Sequence, residues 1–265
     1  MVSGFQLARA QAERYEAHTG VFMGPSAQLI VDRAGLRGGD AVLDLACGTG
    51  LIARAAWPHV APGGRVAAVD VNPGMLAVAR SLAGPGVEWS EAPAEDTPFD
   101  DATFTHVLCQ QGFQFFADPL SSAREAHRVL RGGGVLLATV WATPGGNPYI
   151  ETQLVLLAEL NPDVAPSAQA ATPPNADEML ASMASDAGFG DVTVSLLEHG
   201  VLVSDLPSFF LAQTSTTPWA SALAALEESE QQRLADAFAE RLSSYATSNG
   251  SHLVPFCSHQ LVAEK

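Results

Sequence analysis

Lysine is almost missing from this chain: of 265 residues only the last, Lys265, carries an ε-amino group. Without an internal lysine there is no GxxxxGK[ST] phosphate loop, no Schiff base and no kinase-type lysine. The YxxxK pair of short-chain reductases falls with them, because Tyr15, Tyr149 and Tyr245 are the only tyrosines. Cysteine is scarce too. Cys47, Cys109 and Cys257 are odd in number, far apart and without a CxxC, so neither a disulfide framework nor a thiolate metal site is suggested. Basic residues are few, 13 Lys plus Arg against 29 Asp plus Glu, for a net charge of −16. Such a surface repels phosphate backbones and argues against a nucleic-acid partner. No apolar run approaches a membrane span, and the first residues lack the apolar stretch of a signal peptide. The expectation is a cytoplasmic protein with no membrane partner.

What is present is apolar: 47% of the residues are hydrophobic, enough for a substantial core. Residues 5–18 and 25–36 read as two helices. Short apolar runs then alternate with helical ones, giving strands at 41–46, 65–70, 86–90, 103–109 and 135–141 and helices at 51–57, 74–83 and 120–130. Asn72-Pro73 and Asp118-Pro119 supply an N-cap and a first-turn proline to the latter two helices. Gly132-Gly133-Gly134 is expected to end the last of them. This alternation indicates βαβ units and a parallel sheet, with one rim of strand ends where ligands bind.

Further on, 151–160 and 176–189 read as helices and 191–200 as a sixth strand. Residues 205–248 are helical again, including 227–245, and a final strand lies around 256–263. The expected fold class is α/β: a Rossmann-like, seven-stranded, mostly parallel sheet with helices on both faces and added helical lid elements. One domain is expected, with an N-terminal helical cover (1–39), a ligand-binding core (40–142), the rest of the core with the sixth strand (143–204), a helical insertion (205–248) and the final strand (249–265).

The richest segment is VLDLACGTG, residues 42–50. Asp44 stands near the end of the first strand, and Gly48 and Gly50 follow in the turn, where glycine permits positive φ and close approach of a ligand. The amides at the start of the next helix favour an anionic group. Asp70 ends the second strand, where a carboxylate can take both hydroxyls of a ribose. The glycines alone do not choose a cofactor, because Gly48 to Ala53 also satisfies GxGxxA, the nicotinamide fingerprint.

The wider pattern resembles the class I S-adenosylmethionine (SAM) methyltransferases, in their small-molecule, UbiE-like branch, whose first motif is written [DE]xGxGxG. Asp44 and the last two glycines match, while Ala46 stands at the first glycine position. The resemblance continues through VDVNPGML (69–76), residues 88–116, REAHRVLRGGGVLLATVW (124–141) and DAGFGDVTV (186–194), covering roughly residues 10–200 in order. It implies an enzyme with SAM as cofactor and a small-molecule acceptor as partner.

By that resemblance Asp44, Ala46, Cys47, Gly48 and Gly50 hold the methionine end of SAM. Asp70 binds the ribose, with Val71, Asn72 and Met75 flanking the adenosine. Ala94 and Glu95 meet the adenine, although Pro93 replaces the usual Asp or Asn there. The backbone at Cys109 and Gln110 receives the ammonium group. Tyr15 falls where relatives place an aromatic residue over the cofactor; the alternative is a helix residue packing on the domain.

Gln111, Phe113, Gln114 and Phe116 crowd the rim after the fourth strand, and Trp141 ends the fifth. With His18 from the N-terminal region they are the candidate acceptor-binding residues, and such walls suit a small hydrophobic acceptor. Methyl transfer from a sulfonium rests largely on alignment, so no catalytic base is assigned. No metal is expected, and a homodimer remains open. Two alternatives stay in view: a SAM-binding cyclase or binding protein of a biosynthetic pathway, and a NAD(P)-dependent oxidoreductase.

Overall fold

Ala41–Leu45 forms β1 with every residue buried, as expected for a run that carries helices on both faces. The computed structural model describes residues 7–142, 146–160, 172–217 and 219–265. Strands β2 (Arg65–Asp70), β3 (Val87–Glu91), β4 (Phe104–Gln110), β5 (Leu130–Trp141), β6 (Gly190–Val203) and β7 (His252–Glu264) complete one sheet. Its order is β3-β2-β1-β4-β5-β7-β6, with β7 antiparallel to both neighbours and the remaining pairs parallel.

Helices α1 (Arg9–Ala34), α2 (Leu51–Val60) and α3 (Pro73–Leu82) lie on one face, α4 (Pro119–Val129) and α6 (Ala176–Asp186) on the other. Ile30, Ile52, Leu76 and Leu108 share the first core; Leu43, Phe104, Val129 and Leu180 share the second. A third core sits where the long β6–β7 hairpin passes the rim. There α5 (Pro148–Leu160), α7 (Leu206–Thr214), α8 (Ala220–Ala224) and α9 (Glu228–Arg241) gather on Trp141, Val201, Val254 and Phe256. Phe210 and Phe238 stack there at 4.3 Å between ring centroids and are fully buried. Each such side chain contributes roughly 1.5–3 kcal/mol of burial free energy.

Three boundaries differ from the expectation. The two N-terminal helices are one, α1, which runs through Pro25. Phe22, Met23, Ala27 and Ile30 bury on both sides of the proline, and that packing outweighs its lost hydrogen bond. Likewise α2 continues through Pro58 to Val60, which is fully buried. Finally, Gly132-Gly133-Gly134 lies inside β5 and does not end α4. Leu130 turns extended, and the only lysine takes over the helix end: Lys265 Nζ donates to His127 O at 2.6 Å and Leu130 O at 2.7 Å. The caps at Asn72 and Asp118 form as expected, each side chain accepting from amides of the first turn. The stretch at 143–175, expected from its Pro, Ala and Asn content to be a loop around the 151–160 helix, lies partly outside the described residues, and no helix of the described residues is long and apolar enough to cross a membrane.

Candidate active site

Strand β1 carries Asp44 into the interior, where it is 1% exposed. Its Oδ2 accepts from the Ala53 N–H at 2.9 Å, one of the amides that the first turn of α2 cannot pair within the helix. Burial raises this carboxyl to about 7, with the Ala53 bond and Arg54 opposing the shift and Asp70 adding to it. Ala46 follows in the left-handed region at φ 57°, which explains why a glycine is the usual choice at this position. Gly48 and Gly50 are left-handed too, at φ 54° and 80°, for different reasons. A Cβ on Gly48 would meet nothing, since the turn is open there, whereas one on Gly50 would collide with the Trp89 ring.

Asp70 ends β2 and bridges two turns. Its Oδ2 accepts from Gly48 N–H at 2.7 Å and its Oδ1 from Asn72 N–H at 2.8 Å. Burial raises this carboxyl as well, and the amides of Asn72 and Gly48 hold it partly down.

From these turns a cavity of about 400 Å³ runs along the rim of strand ends, from β3 to β5. Its β3-β2-β1 half is bounded by Asp44, Ala46, Cys47, Gly48, Asp70, Val71, Met75, Ala94 and Glu95. Its β4-β5 half is bounded by Gln110, Gln111, Phe116, Trp141, Tyr149, Gln153, Gln213 and Trp219. Helix α1 crosses above with Tyr15, Thr19, Phe22 and Met23, spaced i, i+4, i+7 and i+8 along one helical face. The cover is tied on both sides: Glu16 pairs with Arg54 of α2 at 2.5 Å, and Thr19 meets Thr216, just beyond α7, at 3.3 Å.

Residues 43–138, the segment that builds β1 to β5 and the glycine turn, match the family model described as a methyltransferase domain. Over this segment the chain is similar to methyltransferase domains. SAM is the cofactor of that family, and the match separates the methyltransferase from the nicotinamide reading that the GxGxxA spacing left open. The ubiquinone/menaquinone biosynthesis C-methyltransferase UbiE of Hahella chejuensis is 37% identical over 125 residues, covering 45% of this chain and 50% of that protein. The chain spans about half the length of the curated relatives it matches.

Solved structures share the fold. Phosphoethanolamine N-methyltransferase 2 of Haemonchus contortus, solved with phosphomonomethylethanolamine and S-adenosylhomocysteine, superposes with a TM-score of 0.59 at 20% identity. That superposition covers 97% of this chain and 59% of the other. The [4+2]-cyclase SpnF superposes with a TM-score of 0.53 at 19% identity over 91% and 80% of the two chains.

The turn has room for a cofactor in one direct respect: the open, left-handed Gly48 leaves the space beside Asp70 free of side chain. Six of the residues singled out in the sequence do not line the cavity. Gly50 packs on Trp89, and Asn72 spends its carbonyl on the amides of Gly74 and Met75. Cys109 and Phe113 are fully buried beneath the rim, and burial pushes the Cys109 thiol up. Gln114 donates to Gln111 Oε1 at 3.0 Å, and His18 of α1 does not border the cavity. None of the seven histidines borders it.

Reasoning from sequence missed Thr19, Phe22 and Met23 of α1, Tyr149 and Gln153 of α5, and Gln213 of α7. The helical spacing from Tyr15 to Met23 was the available signal, and reading 5–36 as two helices hid it.

Proposed function

We propose that the chain transfers the methyl group of SAM to a small, neutral, largely apolar acceptor. The observation that carries this reading is the division of one cavity: carboxylates and an open glycine turn at one end, aromatic rings and amides at the other. In this reading the turn from Ala46 to Gly48 and the buried Asp44 hold the methionine end. Asp70 takes the ribose, Val71 and Met75 flank the adenosine, and Ala94 and Glu95 face the base. Tyr15 closes over them from α1. Bound SAM would supply a methyl group on a sulfonium, already a good leaving group.

The protein's task is then to exclude water and to hold the acceptor in line, which the roof of α1 and the walls from α5 and α7 serve. With no histidine at the cavity, an acceptor that reacts without early loss of a proton fits best. The UbiE relatives methylate carbon, as their name states, and a carbon or oxygen nucleophile on a neutral ring is the acceptor chemistry we favour.

Calorimetry with SAM and S-adenosylhomocysteine tests the cofactor half. Asp70→Ala is expected to weaken binding by about 1.5–3 kcal/mol, since it removes charged hydrogen bonds and frees the Gly48 amide. Unchanged affinity in a folded variant takes Asp70 out of the site. Cofactor that binds intact while no phenol, amine or carboxylic acid is methylated favours the cyclase or binding reading instead.

A further inference from the structure

The acceptor end of the cavity holds a polar pair that the reading above leaves unused. Gln153 of α5 is 1% exposed and Gln213 of α7 is 6% exposed, and both border the cavity. Gln153 Nε2 donates to Gln213 Oε1 at 2.6 Å and to Thr214 Oγ1 at 2.8 Å. The Tyr149 hydroxyl also reaches Gln213 Oε1, at 3.5 Å. These bonds use both protons of the Gln153 amide and both lone pairs of the Gln213 carbonyl. They fix the two amides against each other across helices about sixty residues apart in sequence. Among the described residues, Gln153 Oε1 and Gln213 Nε2 have no protein partner. One acceptor and one donor of the linked pair are thus left over for a ligand.

Among the described residues that line this end of the cavity, none carries a formal charge. Trp141, Tyr149, Ile150 and Trp219 stand around the pair's end of the cavity, and burial pushes the Tyr149 phenol far up, so it stays neutral. The carboxylates Asp44, Asp70 and Glu95 belong to β1, β2 and the segment after β3, at the other end of the rim. An ionised ligand here would lose its hydration without a counter-charge. A neutral group that both donates and accepts would lose nothing.

We propose that Gln153 and Gln213 form the specificity-determining anchor of the acceptor chamber, reading a single uncharged hydroxyl or carbonyl-bearing ring edge and rejecting ionised acceptors. The proposal rests on the methyltransferase reading for the word acceptor, and its test keeps the two apart.

Equilibrium dialysis against saturating S-adenosylhomocysteine compares three probes of one shape: 1-naphthol, naphthalene and 1-naphthoate. The wild-type protein is expected to hold 1-naphthol about tenfold more tightly than naphthalene, the yield of two neutral hydrogen bonds, and 1-naphthoate more weakly than either. In Gln153→Met or Gln213→Met the preference for 1-naphthol over naphthalene should fall by threefold or more, with S-adenosylhomocysteine affinity unchanged. A wild-type preference under about threefold, tighter binding of 1-naphthoate, or no 1-naphthol binding at about 1 mM overturns the proposal. So does a preference that survives in both variants. Should both variants fail to fold, the wild-type ratios decide. Loss of S-adenosylhomocysteine binding by the wild-type protein would instead sink the methyltransferase reading, because the naphthol ratio can be measured without it.

Discussion

Two carboxylates of one sign sit around the glycine turn, and neither has a cationic partner within hydrogen-bonding reach among the described residues. Asp44 shows the consequence. Its folded carboxyl titrates near 7 against an ordinary 3.8, so between those values the native state keeps a proton that the unfolded chain has released. Stability without ligand should therefore fall as pH rises from about 4 to 7 and level off above, by on the order of 2–4 kcal/mol. In Asp44→Asn that slope should shrink, leaving the part due to Asp70, which is raised in the same sense. Urea unfolding at several pH values reads it directly; an identical slope in the variant would clear Asp44.

The neighbouring glycines separate ligand space from packing. Gly48→Ala should keep the fold at a cost of roughly 1–2 kcal/mol for the left-handed backbone, while its methyl group weakens S-adenosylhomocysteine binding at least about tenfold. Gly50→Ala adds a collision with the Trp89 ring to the same strain, so the unfolding temperature should drop much further. Calorimetry and melting of the two variants would refute this assignment if Gly48→Ala bound normally.

Elements differ in how much of them a sequence exposes. Strands β1, β2 and β4 are legible because each is a short apolar run closed by glycine or by a polar cap. The caps of α3 and α4 are legible because Asn72 and Asp118 act on amides two or three residues away. Boundaries are misread where a long-range contact overrides a local signal. Pro25 and Pro58 look like helix ends until the buried residues on their far sides are seen. The glycines at 132–134 look like a stop until Gly133 and Gly134 are found paired with the last residue, Lys265. The same logic divides the site. The half proposed for the cofactor is built from turns that directly follow β1 and β2, so consecutive residues spell it out. The half proposed for the acceptor is assembled from α1, α5 and α7, which meet only after folding. In sequence the buried Gln153 and Gln213 look no different from surface glutamines.

Across the whole molecule the cavity is roofed by parts that the sheet does not hold rigidly. The C-terminal half of α1 is sealed onto the sheet face by Ala27, Ile30 and Val31, but its first half rests mainly on Ala12, Met75 and Val78 and on the Glu16–Arg54 pair. The insertion between β6 and β7 touches that helix through Thr19 and Thr216. A ligand bound beneath would add contacts to both parts together, and loops or helices that gate a site usually belong to the less stable regions. A competing use for the insertion is a dimer interface built on Trp219, Leu223, Leu226 and Phe238. Those side chains are already engaged: Trp219 is 6%, Leu223 4% and Phe238 0% exposed, and Leu226 packs against the same core. Hydrogen exchange with S-adenosylhomocysteine and 1-naphthol should accordingly slow at residues 9–20 and 206–217, with α4 and α6 unchanged. Protection in 206–217 that ignores ligand but falls on dilution would reverse the choice and make the insertion an interface between copies.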